Sequence, residues 1–205
     1  RTEVLFQYDI SAEGVKLTDP APDTKQRVLF AIRGCDAAGV TRLDRVLMAD
    51  AFYAARRALT TVVTLACDKP EADCFCTAVG GEPHGTHGSD VALAPAGDGF
   101  LARALTPKGE ALLAKVPAGA AQASDTEWAE SQKRAKAAAA TIKRGPVAKD
   151  WSAKLGQRFE SIAWADPGER CLSCSICGYV CPSCSCFDVQ DEGSSDCGDR
   201  CRNWD

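Results

Sequence analysis

Six cysteines fall within residues 171–187, CLSCSICGYVCPSCSCF. Four of them, Cys171, Cys174, Cys177 and Cys181, with Pro182 behind the last, read C-x2-C-x2-C-x3-C-P. Steps of three let one short loop turn several thiolates toward a single centre, which is how a [4Fe–4S] cube is held. Two other chemistries use many cysteines. Structural zinc takes two C-x2-C pairs separated by roughly a dozen residues or more. Disulfides suit small secreted scaffolds that lack a core, and cysteines three apart cannot all pair locally. Iron–sulfur ligation accounts for this spacing best, with a zinc-stabilised interaction module as the alternative.

A second group comprises Cys35, Cys67, Cys74 and Cys76. Cys35 ends the apolar run RVLFAIRGC, and Cys67 ends the β-branched run TTVVTLAC. Both runs read as buried strands. Between them, LDRVLMADAFYAARRAL repeats apolar residues at steps of three and four and reads as one amphipathic helix. Strand, helix, strand in this length predicts a βαβ unit with parallel strands. Parallel pairing puts Cys35 and Cys67 at the same carboxyl edge, where open α/β sheets bind ligands. The next loop adds Cys74 and Cys76 on either side of Phe75, so four thiols are expected to converge on a metal. Four unrelated buried cysteines are the plainer alternative.

The remaining elements position these groups. The only histidines, His84 and His87, sit in VGGEPHGTHGS and read as solvent-exposed loop residues, with zinc or haem ligation as the alternative. The glycines there do not form G-x-G-x-x-G, so no nucleotide site is expected. DVALAP and GFLARAL read as a strand pair turning at residues 96–99, and KGEALLAKV as a short helix. A flexible break, PAGAAQAS, precedes a capping box from Ser124 to Glu127. The alanine-rich helix it opens runs to Gly145-Pro146 and reads as a solvated connection, with a docking surface as the alternative. A second helix, VAKDWSAKLGQRFESIAW, runs up to Asp166-Pro167-Gly168. The expected organisation is an α/β (α+β) domain over 1–120 with its own four-cysteine site, a helical connection over 121–168, and a ferredoxin-like segment over 169–205. Phe75, Ile176, Tyr179, Val180 and Phe187 are expected to shield the cluster sites from water.

Composition excludes several classes. Hydrophobic content of 45% with 25% charged residues is that of a globular protein. No apolar run of about eighteen residues exists to span a membrane. A net charge of −4 gives no support for nucleic-acid binding. No G-x-S-x-G, Walker or Rossmann fingerprint appears, and no catalytic residue is assigned. The chain begins with Arg1 rather than methionine and ends at CRNWD, so a fragment of a longer polypeptide is expected.

Taken together, these segments resemble the 4Fe–4S dicluster electron-transfer subunits. That family is typified by the beta subunit of cytoplasmic nickel–iron (sulf)hydrogenases and the A subunit of anaerobic sulfite reductase. The likeness is carried by the opening RTEVLFQY, RGCDAAGVTRLDRVLMADAFYAARR, ACDKPEADCFCTAVGGEP, GSDVALAPAGDGFLARAL, RCLSCSICGYVCPSCSCFDVQDE and RCRNWD. It implies a cytoplasmic subunit of an anaerobic oxidoreductase, relaying single electrons between a flavin or NAD(P)H-binding subunit and a catalytic subunit. It also implies one [4Fe–4S] cluster in the amino-terminal domain and one or two in the ferredoxin-like region. Such subunits carry a second C-x2-C-x2-C-x3-C-P run further along, and this sequence stops before one. In two-cluster ferredoxins the cysteine before proline serves the other cluster, which bears on Cys181. The roles of Cys184, Cys186, Cys197 and Cys201 stay open.

Overall fold

The computed structural model describes residues 2–20, 23–116 and 119–204. Pro117 and Ala118, where the expected flexible break begins, lie outside the described residues, as do the terminal Arg1 and Asp205. The fold is mixed α/β with two four-stranded sheets. Close contacts divide the chain into two interleaved units, one of residues 1–26, 42–59 and 175–205, the other of 27–41 and 60–174. That partition brings both ends of the chain into one unit, whereas the sequence reading cut the chain in order. No described helix is long and apolar enough to cross a membrane.

The first unit is built on an antiparallel sheet from β1 (Thr2–Ser11), β2 (Gly14–Thr18), β7 (Phe187–Gly193) and β8 (Cys197–Trp204), in the order β2-β1-β8-β7. β1 forms because Val4, Phe6, Tyr8 and Ile10 alternate, the period of a strand with unlike faces. Its pairing with β8 runs from Thr2↔Asn203 to Asp9↔Cys197. One guanidinium locks this arrangement. Arg202 is 4% exposed; its Nε donates to Glu3 Oε2 at 2.9 Å and its Nη1 to Asp50 Oδ2 at 2.9 Å. The planar group also stacks over Phe187 and Trp204, at 5.3 and 4.7 Å from the ring centres. Asp50 has a second duty: its carboxylate accepts from Tyr53 N–H at 2.8 Å and caps α2 (Ala51–Ala58).

The second unit holds the sheet β3-β4-β5-β6, made of β3 (Arg27–Ile32), β4 (Thr60–Leu65), β5 (Val91–Ala96) and β6 (Gly99–Ala104). β3, β4 and β5 pair in parallel, and β6 turns back antiparallel through Gly97 and Asp98. The core lies along β4 and β5, where Val62, Val63 and Val91 are buried. Asp90 ties the layers together by accepting from Val62 N–H at 2.8 Å and from the Thr106 hydroxyl at 2.6 Å. Thr106 in turn caps α3 (Pro107–Leu113), with proline in the first turn, where no N–H is needed.

Three helices differ from expectation. The single amphipathic helix is two, α1 (Gly34–Leu47) and α2, because the Asp50 side chain captures the amides that a continuous helix would use. The alanine-rich helix α4 (Asp125–Thr141) has its capping box, yet ends before Gly145 because Ile142 is extended. It is also not a purely solvated connection: Ser131 and Ala138 are buried, and the Arg134 guanidinium donates to Pro95 O. The last predicted helix is broken into α5 (Trp151–Gln157), a 3-10 turn (Ile162–Trp164) and α6 (Ala165–Glu169). Pro167 is accommodated in the first turn of α6 instead of stopping the helix.

Arg202→Ala would leave Glu3 and Asp50 without their shared counter-charge, and a loss of about 3 kcal/mol is expected in urea unfolding. The Asp50 carboxyl is held below the usual range, chiefly by its bond to Arg202. Its stabilisation is therefore present above the unfolded value of about 4 and disappears as pH falls through the lower folded value. The wild type should lose stability on acidification more steeply than Asp50→Asn in the same titration.

Candidate metal centre

β3 ends with an irregularity: its pairing with β4 shifts register between Leu29 and Ile32, and Ala31 has φ of 58°. The chain then turns directly into α1. Arg33 N–H donates to Asp36 Oδ2 at 3.1 Å, closing the turn around Gly34 and Cys35. Cys35 thus stands in the first turn of α1, where the amides of Asp36 and Ala37 already donate to Arg33 O at 3.0 Å. The Arg33 side chain reaches the next strand, donating to Ala66 O at 3.2 Å. This bond joins the residue two before Cys35 to the residue before Cys67. Gly34 is required by close approach, since a Cβ there would lie 2.3 Å from Gly85 O.

Cys67 follows the end of β4 and donates its N–H to Pro83 O at 3.0 Å. Cys74 closes a tight turn: its N–H donates to Glu71 O at 3.0 Å, and Glu71 N–H donates to Cys74 Sγ at 3.2 Å. Cys76 opens the 3-10 turn Cys76–Val79, with its carbonyl accepting from Gly81 N–H at 2.9 Å. The thiols act on one another. Burial pushes the Cys76 thiol up, and the sulfurs of Cys74 and Cys67 raise it further. Cys35 is raised by burial, by the Asp36 carboxylate and by Cys76. Cys76 is therefore in electrostatic reach of all three partners.

No cysteine among the described residues forms a disulfide. Among those residues no three Cys, His, Asp or Glu side chains stand close enough to hold a metal as they are oriented. The four thiols share a neighbourhood without forming a closed cage. Each has one χ1 torsion with staggered wells through which to turn inward. An all-sulfur donor set selects iron–sulfur or zinc over harder cations. Gathered thiols resist joint ionisation until a cation binds them. The donor chemistry of these residues suits an iron–sulfur group or zinc.

Sequence reasoning missed the support beneath this loop. His84 is not a solvent-exposed residue: its side chain is 12% exposed, and its Nε2 lies 2.6 Å from Asp68 Oδ1. Arg134 donates to the other oxygen of Asp68 at 3.2 Å. The carboxylate following Cys67 thus joins the His84 loop to α4. The acid directly after Cys67, Asp68, was the available signal, but its partners are 16 and 66 residues away. His87 is exposed, as expected.

In the second cysteine run, Ser173 and Ser175 adopt φ of 51° and 57°, left-handed turns between successive cysteines. Ser173 N–H donates to Cys171 Sγ at 3.4 Å. Cys177 lies in α7 (Ile176–Val180), and Cys181 ends it, donating its N–H to Gly178 O at 3.3 Å. The Ser183 hydroxyl, 3.3 Å from Cys181 Sγ, holds that thiol below its usual range. The expected apolar shield is not drawn inward: Phe75, Ile176, Tyr179, Val180 and Phe187 are exposed. Cys201 is 1% exposed within β8, opposite Val4 and Gln190, and serves as a packing residue of the sheet. Cys197 is exposed and lies 3.4 Å from the Ser194 hydroxyl.

Residues 170–205 match the family model of the 4Fe–4S dicluster domain. The chain is 30% identical over 171 residues to Sulfhydrogenase 2 subunit beta of Pyrococcus furiosus, covering 80% of this chain and 49% of that protein. It thus spans about half the length of the relative it matches. No solved structure matches the chain.

Gly34→Ala forces a Cβ onto the Gly85 carbonyl, which is backbone and cannot swing aside. Overpacking of this kind costs about 1–3 kcal/mol, and urea unfolding should register it. Gly14→Ala, where nothing lies within 4 Å of the added atom but φ is 130°, measures the cost of backbone strain alone.

Proposed function

We propose that the chain is a 4Fe–4S electron-transfer subunit and the relay of a multi-subunit anaerobic oxidoreductase, a reading supported by the dicluster-domain match and the sulfhydrogenase relative. Cys35, Cys67, Cys74 and Cys76 hold one [4Fe–4S] cluster. Cys171, Cys174, Cys177 and Cys181 supply the ligands of the ferredoxin-like region, by the spacing of their run. What supports the reading is the parallel pairing of β3 with β4, which delivers Cys35 and Cys67 to one sheet edge ahead of the loop that carries Cys74 and Cys76, together with the match of residues 170–205 to the 4Fe–4S dicluster domain.

When bound, such a cluster supplies a one-electron couple whose potential depends on charge, exposure and hydrogen bonds to sulfur. The chain's own contribution is to hold the ligands and donate N–H groups to sulfur. Glu71 N–H to Cys74 Sγ and Ser173 N–H to Cys171 Sγ are two such donors. In this reading the chain carries electrons and a partner subunit makes and breaks bonds. A sulfhydrogenase beta subunit as relative supports partners of the kind found in a redox complex. The proposed partners are a flavin or NAD(P)H-binding subunit and a catalytic subunit, in the cytoplasm.

Oxygen-free purification should yield a brown protein containing iron and acid-labile sulfide, with broad absorption near about 400 nm that dithionite bleaches. A colourless, redox-silent protein containing zinc would overturn the proposal. Cys67→Ala should lower the iron content while leaving the Cys171–Cys181 run loaded, and Cys174→Ala should do the reverse. Unchanged iron in either variant would remove that cysteine from the ligand set.

A further inference from the structure

Residues 133–158 carry eight Lys and Arg against a single acid, Asp150. Eight less one is a surplus of seven positive charges in a chain of net −4, so the remainder carries −11. The stretch begins on α4, continues as an extended segment, and ends just beyond α5. Its extended part lies against the C-F-C loop. Val147 N–H donates to Ala78 O at 2.8 Å, inside the 3-10 turn that Cys76 opens. Arg144 Nη2 donates to Asp73 Oδ1 at 3.3 Å, and Asp73 directly precedes Cys74. A concentrated positive charge therefore borders the proposed redox site.

Most of that charge remains available. Lys136, Lys143 and Lys149 are exposed and form no ion pair among the described residues. Lys133 and Lys154 pair with Glu130 and Asp150 on the open surface, where such bridges are weak. Apolar anchors lie in and just beyond this stretch. Trp151, Phe159 and Trp164 are exposed, and Leu155, Gly156, Phe159 and Trp164 line a shallow apolar groove. Exposed aromatics among basic residues have the composition of a protein docking surface.

We propose that residues 133–158 dock an acidic one-electron carrier protein beside the Cys74–Cys76 loop. The proposal rests on the relay reading above. A carrier of opposite charge is drawn to this patch from a distance of about one Debye length, roughly 10 Å at 0.1 M salt. Such steering raises association rates more than it deepens the final complex. A long nucleic acid is disfavoured, because the remainder of the chain would repel whatever extends past the patch.

The test uses the anaerobically purified, cluster-loaded chain, with an acidic [2Fe–2S] ferredoxin as the carrier probe and basic cytochrome c as the control. Calorimetry at low and high salt should show the ferredoxin bound about 10-fold more weakly at high salt. The triple variant K136E/K143E/K149E should bind it about 10-fold more weakly than wild type at low salt, with iron and acid-labile sulfide per chain unchanged. The milder K136Q/K143Q/K149Q should fall between the two. Equal binding by wild type and both variants would overturn the proposal, as would tighter binding of a single-stranded oligonucleotide or of cytochrome c. A wild-type chain holding no iron or acid-labile sulfide would instead reject the relay reading and this proposal with it.

Discussion

Parallel pairing of β3 with β4 is the constraint on which the proposed centre depends. Two strands running the same way must finish at the same edge, so residues following them are brought together whatever their separation in sequence. Here Arg27 stands beside Thr60 and Ile32 beside Thr64, and the chain delivers Cys35 and Cys67 just beyond. The Arg33 bond to Ala66 O ties the two exits, and Gly34 lets the Gly85 backbone pass between them. Antiparallel pairing of the same strands would have sent the two thiols to opposite edges. With both at one edge, the short loop carrying Cys74 and Cys76 can complete a set of four.

The other unit answers a different problem. Its sheet takes strands from both ends of the chain, and such long-range pairing gains nothing until distant segments meet. Arg202 supplies a specific partner at that meeting. It binds a carboxylate on β1 and one at the start of α2, and stacks on aromatic rings of β7 and β8. The planar fork of arginine suits bonds to two carboxylates at once, which lysine could not reproduce. Asp50, as both helix cap and arginine ligand, is also what divides the expected single helix into α1 and α2.

Legibility differed sharply between elements. The β3 and β4 runs, the β5–β6 pair and the Ser124 capping box were readable because each signal is local: a run of β-branched residues, a Gly-Asp turn, a serine three residues before a glutamate. β8 was illegible, since CGDRCRNW shows neither alternation nor an apolar run, and it becomes a strand only between β1 and β7. β1 did alternate, though only one of its partners, β2, is nearby in sequence and the other, β8, lies nearly two hundred residues away. The burial of His84 and of one face of α4 was also hidden. His84 and Arg134 of α4 both bind Asp68, from 16 and 66 residues away in sequence.

Residue type and spacing alone determined the expectation of thiolate ligation to a soft metal, because cysteines at steps of three and in a C-F-C loop carry their chemistry locally. They likewise determined the parallel strands, through apolar runs too short to be anything else. Only the tertiary structure decided which sulfurs neighbour one another, that Cys201 is packing, and that a basic segment borders the C-F-C loop. Those outcomes depend on contacts between residues far apart in sequence, whose energies exist only once the backbone has brought them together.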